Sequence, residues 1–255
     1  MVRMMSYFKR YMAGEHEAVW AEMAVLGAAV RSSDTLEDAQ AVATETMRRV
    51  LHNLLLLKER LPTCGYRFDA PLGDSPRPVV RPASAEDRAL LDTLERENGP
   101  MPLSLYAFYT VVGEVDFGQD YAQLVQWPER EDGAPYTEME MLGEFQPLSI
   151  SSLSFLMSQR FSHERGVQVP LVPDEAGTAY YSGDYYYTVF PYPHADALLG
   201  EGYSGAELFV DYLRQAFRHS GFHGMPKVDA ERDGERWTFP SLPCILDIAR
   251  ELLPM

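Results

Sequence analysis

Residues 94–112 read LERENGPMPLSLYAFYTVV. A helix-forming run halts at Asn98-Gly99-Pro100 and a second run starts after Pro102. Glycine takes the left-handed backbone that ends a helix, and proline is tolerated in a first turn, so NGPMP predicts a sharp corner between two helices. Upstream, Ser84 and Asp87 in SAEDRALLDTLERENG have the spacing of a capping box, and Leu90, Leu91 and Leu94 share one face. Downstream, Leu105, Phe108, Tyr109 and Val112 recur at helical steps and are expected to face inward.

Working outward, residues 1–62 predict a helical arm. Val19, Trp20, Met23, Leu26 and Val30 fall on one helix face, and Ser33 or Asp34 is the expected cap of the next helix. That helix carries Ala39, Ala43, Met47, Val50, Leu54, Leu57 and Leu61 at similar steps and ends before Pro62. Two antiparallel helices result, the second apolar enough around LHNLLLLKERL to be covered on two sides. Residues 63–85 hold four prolines and predict an extended connector, with Tyr66 and Phe68 laid on the fold it leads into. Residues 86–255 form the remaining unit.

Beyond Gly113 the pattern turns to short extended runs: EVDFG, EFQPLSI, GVQVPLVPD and DYYYTVF, with a short helix in SISSLSFLMSQRF. In the last strand Tyr185, Tyr187 and Val189 alternate with Tyr186, Thr188 and Phe190, and both faces are apolar enough to be covered. SGAELFVDYLRQAFRHSG predicts a helix capped by Ser204 and stopped at Gly221, with Leu208, Phe209, Tyr212, Leu213 and Phe217 inward. A short amphipathic helix with Ile245, Ile248, Leu252 and Leu253 ends the chain. Helices, then strands, then helices give an α+β fold: a mostly antiparallel or mixed sheet backed by helices, with an N-terminal helical hairpin.

Charge narrows the function. Of the net −16, residues 1–62 contribute nothing, with eight acids against eight bases. The segment Glu114 to Glu144 is the densest, with nine acids and one base, Arg130. Such a surface repels phosphate backbones and anionic lipid and attracts a basic partner. No apolar run approaches a membrane span, and the first residues lack the apolar core of a secretory signal, so cytoplasmic residence is expected. Cys64 and Cys244 lie far apart with no metal-type spacing, and isolated thiols are expected.

No nucleophile elbow, phosphate loop, dinucleotide fingerprint or HExxH motif occurs. His219 and His223 stand four apart, but Ser220-Gly221 breaks the helix between them, so no metal site is expected. His163 stands alone, and His194 with Asp196 lacks a nucleophile. Asp174 and Asp184 flank a turn, where aspartate is favoured for its own sake. No catalytic residue and no cofactor is therefore assigned. The tyrosines at 180, 181, 185, 186, 187 and 192 form the best candidate binding surface, because aromatics with polar tips are enriched at interfaces.

The helix corner with Pro102, followed by Gly113 and Phe117-Gly118, resembles the signature of the SUKH superfamily. The ordered series QPLSISSL, VPDEAGTAYYSGDYYYTVFPYPHADALL and ELFVDYLRQAFRHSGFHG is similar to a bacterial subgroup, over roughly residues 86–224. Ser220 stands where a glycine is usual, and residues 1–62 have no counterpart in the minimal fold. The resemblance implies an α+β binding scaffold without a catalytic centre and, in many bacterial members, an immunity protein that neutralises a toxin such as a nuclease. Some relatives instead regulate cell-wall synthesis. On this reading the partner surface comprises Glu114, Asp116, Asp120, Trp127, Glu129, Glu131 and Asp132 with Asp174, Tyr181, Asp184, Tyr185 and Tyr187. Two other expectations stand beside it: a small-molecule binder or hydrolase using Asp174, Asp184 and the tyrosines, and dimerisation of the arm through Leu51, Leu54, Leu55 and Leu57.

Overall fold

The computed structural model describes residues 6–68, 79–118, 146–164, 166–173, 185–200, 206–223, 229–232, 235–238 and 242–255. Asp120, Trp127, Glu129, Glu131, Asp132, Asp174, Tyr181 and Asp184, and the expected cap Ser204, lie outside the described residues.

The arm begins with α1 (Tyr7–Met12), α2 (His16–Val25) and a 3-10 turn over Gly27–Arg31, before α3 (Leu36–Arg60). Helix α1 starts at Ser6, whose hydroxyl accepts from Lys9 N–H, while the Asp38 carboxylate accepts from the backbone N–H of Tyr7 and Phe8. Thr35, not Ser33 or Asp34, holds the cap position of α3, and the Ser32 carbonyl accepts from Leu36 N–H at 2.9 Å. Every apolar residue that periodicity places on the inner face of α3 is buried, from Ala39 to Leu57, and so is Leu61. Leu54 and Leu57 are consumed inside the chain, while Leu55 is 46% exposed.

Helix α3 runs into a 3-10 turn, Leu61–Cys64, and packs against α5 (Leu103–Val111), so the arm and the elements beyond the connector share one core. The connector is anchored too: the Tyr66 hydroxyl donates to the Phe117 carbonyl, and the Tyr66 ring meets Phe68 and Phe222 edge-on.

Strand β1 (Val80–Arg81) leads to α4 (Ala85–Asn98) and then α5. Ser84 and Asp87 form the expected capping box. The NGPMP corner is fastened from both sides. Gly99 has φ +84°, and a Cβ there would lie 2.8 Å from Pro191 Cβ, so both conformation and close approach require glycine. Helix α5 has no side-chain cap at Pro102; instead Leu103 and Ser104 donate their N–H groups to the carbonyls of His194 and Ala195. Arg31 donates to the Met101 carbonyl from the arm. Leu105, Phe108, Tyr109 and Val112 are buried as periodicity requires, Phe108 packing edge-on against Phe209.

The remaining strands are β2 (Glu114–Asp116), β3 (Gln146–Pro147), β4 (Ser149–Ile150), β5 (Phe161–His163), β6 (Gly166–Pro173), β7 (Tyr185–Phe190), β8 (Leu198–Leu199), β9 (Glu207–Leu208), β10 (Phe222–His223), β11 (Asp229–Arg232) and β12 (Glu235–Thr238). Helix α6 (Leu153–Ser158) follows β4, α7 (Phe209–Arg218) follows β9, and α8 (Leu242–Ala249) comes last. All pairings among the described residues are antiparallel, distributed among the small sheets β1-β2-β4, β5-β6-β7, β8-β9, β10-β3 and β11-β12. Single backbone bonds join them: Ser151 N–H to the Leu171 carbonyl links β4 to β6, and Gly200 N–H to the Tyr187 carbonyl links β7 to β8. The architecture is α+β. No helix among the described residues is long and apolar enough to cross a membrane.

Two expectations are corrected. Leu208 is a strand residue paired with Leu198, so α7 begins only at Phe209. Cys64 and Cys244 are not isolated thiols; they form a disulfide across a sequence separation of 180, with Cα atoms 5.7 Å apart. Spacing along the chain carries no information about a pair that meets only when the arm and α8 come together.

Candidate functional site

Strand β7 sorts its side chains by parity. Tyr186, Thr188 and Phe190 are buried beneath the sheet, while Tyr185, Tyr187 and Val189 stand half-covered on the other face. The outer face is therefore less covered than alternation alone predicts. On it the Tyr185 and Tyr187 ring centroids are 6.3 Å apart; Phe155 of α6 lies 5.8 Å from Tyr185, and Phe161 of β5 lies 6.4 Å from Tyr187. Phe161 is 51% exposed. Four aromatic rings thus form a continuous stripe. Phe155 and Phe161 escaped the sequence reading because each sits in a short element whose facing depends on β6.

Each end of the stripe borders a depression. Tyr185 lines a cleft of about 530 Å³ with Glu114 and Asp116 of β2, Ser149 and Ser151 around β4, and Phe155. Tyr187 lines an apolar groove of about 250 Å³ with Val189, Pro191, Tyr192 and Leu198. Of the residues expected at the partner surface, the structure brings together Glu114, Asp116 and Tyr185 in the cleft and Tyr187 beside them on the stripe.

The electrostatics of the cleft follow from residue parity on β2. Val115 is buried, so Glu114 and Asp116 share the opposite face. Arg81 donates from Nε to Glu114 at 2.9 Å and from its two terminal nitrogens to Asp87 at 2.8 and 3.1 Å. The Arg81 guanidinium, with the capping bonds from Ser84, holds the Asp87 carboxyl down at about 2. One guanidinium thus faces two carboxylates. Asp116 accepts from Gly118 N–H at 3.0 Å through Oδ1 and has no ion pair with a described residue.

The remaining candidates do not assemble. Asp196 is only 4% exposed and accepts from Ala197 N–H at 2.8 Å and Val210 N–H at 3.1 Å, which makes it the anchor of the first turn of α7 and not a partner of His194. Burial pushes its carboxyl up to about 7. His194 lies against Tyr192 with centroids 3.9 Å apart and the rings tilted 41° to each other, and burial lowers its imidazole. His219 ends α7 as expected, but His223 belongs to β10 and stacks on Tyr212 at 4.8 Å. Ser220 and Gly221 between them both have positive φ, so the two histidines share no helix face. No group of three or more His, Cys, Asp or Glu among the described residues is placed to hold a metal ion.

No protein-family model, no curated protein and no solved structure matches this chain. The fold class is therefore read from the chain alone.

Proposed function

We propose that this chain is a non-enzymatic, SUKH-like protein-binding module that acts as an immunity protein and neutralises a basic, nuclease-type toxin. The observation that carries the reading is the aromatic stripe Phe155–Tyr185–Tyr187–Phe161, set between an acidic cleft and an apolar groove. Desolvated tyrosine and phenylalanine rings supply the affinity at such a surface, and charge of one sign speeds encounter with a partner of the other. The chain's net −16 supports the same direction. Cytoplasmic residence belongs to this reading and requires the Cys64–Cys244 bond to be open in the cell, because that compartment keeps thiols reduced.

The test is capture on immobilised full-length chain from the source cells at low and high salt, repeated with a Tyr185→Ser/Tyr187→Ser variant. A basic protein held by the native chain, partly released by salt, lost by the variant, and no longer toxic when co-expressed with the native chain is the expected result. Retention of no basic protein, or equal retention by the variant, overturns the reading.

A further inference from the structure

We infer that the cleft between β2, β4 and α6 is a slot for one arginine side chain of the partner, an inference that rests on the docking surface just proposed and gives its acidic end a specific task. Cross-strand register sets Asp116 directly opposite Ser149, so the carboxylate and the hydroxyl stand side by side on one face. Ser151 closes the same wall, held in place by its N–H bond to the Leu171 carbonyl. The Ser149 and Ser151 hydroxyls make no hydrogen bond to a described residue, and Asp116 Oδ2 is equally uncommitted among them. Three acceptors therefore converge on one cleft.

Aromatic rings line the same cleft. Phe155 and Tyr185, tilted 34° to each other at 5.8 Å, offer a ring surface beside the acceptors. Among the described residues the charged groups around the cleft are Glu114, Asp116, Arg81 and Asp87, one base against three acids, a formal charge of −2 for these four groups. Arg81 does not fill the deficit, since its Nε and both terminal nitrogens are already spent on Glu114 and Asp87. A cation that can donate several bonds in one plane while lying on a ring meets all of these conditions. Guanidinium does so, whereas ammonium presents a compact point charge with no planar face.

The test titrates isotope-labelled full-length chain with N-acetyl-arginine-N-methylamide and follows backbone amide shifts. The lysine analogue and the neutral citrulline analogue serve as comparisons. Saturable shifts confined to the segments around Asp116, Ser149 and Ser151, absent with citrulline and weaker with lysine, are expected. Asp116→Asn keeps the Oδ1 acceptor for Gly118 N–H and removes the charge; it should weaken the arginine response about tenfold, the scale of one charge-assisted hydrogen bond. Ser149→Ala provides a second variant, with a smaller loss expected. Scattered, unsaturable shifts, an equal response to citrulline, or an unchanged response in Asp116→Asn overturns the slot. The titration needs no partner, so its failure leaves the docking surface to be judged by capture, while failed capture with a successful titration overturns the docking reading and leaves the slot.

Discussion

Asn53 pairs with the backbone of Leu253 as a neighbouring strand would: its side-chain amide donates to the Leu253 carbonyl at 2.9 Å and its Oδ1 accepts from Leu253 N–H at 2.8 Å. Arg49 adds a bond to the Pro254 carbonyl and Arg214 another to the Met255 carbonyl. The last residues are thereby held against α3 and α7. Replacing the buried Asn53 by alanine leaves both groups of Leu253 without protein partners, and should cost about 1–3 kcal/mol. Urea unfolding would show it as a lower midpoint at unchanged slope; an unchanged midpoint would mean that water replaces the side chain in full.

The disulfide should add more. Closing a loop of this length is worth about 5 kcal/mol in the chain-entropy account, and 2–4 kcal/mol is typical of measured cases. Reductant should lower the unfolding midpoint of the native chain and leave Cys64→Ser unmoved. Thiol trapping in intact cells reports the compartment: cytoplasmic residence predicts two alkylated cysteines, and an intact bond overturns that residence.

Asp87 should confer acid sensitivity. Its folded carboxyl sits at about 2 against an ordinary 3.8, so the stabilisation is present above pH 4 and is lost as pH falls through 2. The side chain is only 5% exposed, and the linkage amounts to about 2 kcal/mol. Stability measured between pH 5 and 2 should drop by that amount in the native chain and much less in Asp87→Ala.

Asp196 acts with the opposite sign. Its folded carboxyl is raised to about 7, so the native state binds a proton that the unfolded chain releases near 3.8. Stability therefore falls as pH rises from about 4 to 7, with a slope of at most about 1.4 kcal/mol per pH unit from this one group. Asp196→Asn should flatten the pH 5–7 part of the profile. A native profile already flat there would show the carboxylate to be ionised and fully satisfied by its two backbone donors.

Neighbouring positions on β7 should respond differently. Phe190 is fully buried, and Phe190→Ala should cost about 3–5 kcal/mol. Tyr187 is half-covered, and Tyr187→Ser should stay within about 1–2 kcal/mol while abolishing partner capture. Equal losses of stability at the two positions would mean that the outer face is core and not a docking surface.

What the sequence disclosed was local. The capping box at Ser84, the NGPMP corner, the buried face of α3 and the parity of β7 each depend on residues within a few positions of one another, and each is present. Helix α1 is too short, at six residues, to show a period. The start of α7 was misplaced because pairing of Glu207–Leu208 with β8 outcompeted extension of the helix. The acidic half of the cleft was legible as charge density, but its serines, its ring wall and the Arg81 clasp come from segments brought together only by β-pairing.

The covalent bond between Cys64 and Cys244 also makes a ring of everything between them. The capping box, the helix corner, the aromatic stripe and the cleft all lie on that ring, with the arm and the final residues as two tails leaving from a single point. One backbone cut anywhere on the ring opens it without releasing a fragment, so a nicked molecule keeps its full mass until it is reduced. While the bond is closed, two cuts are needed to carry any part of the docking face away; once the thiols are reduced, as cytoplasmic residence requires, one cut divides the chain.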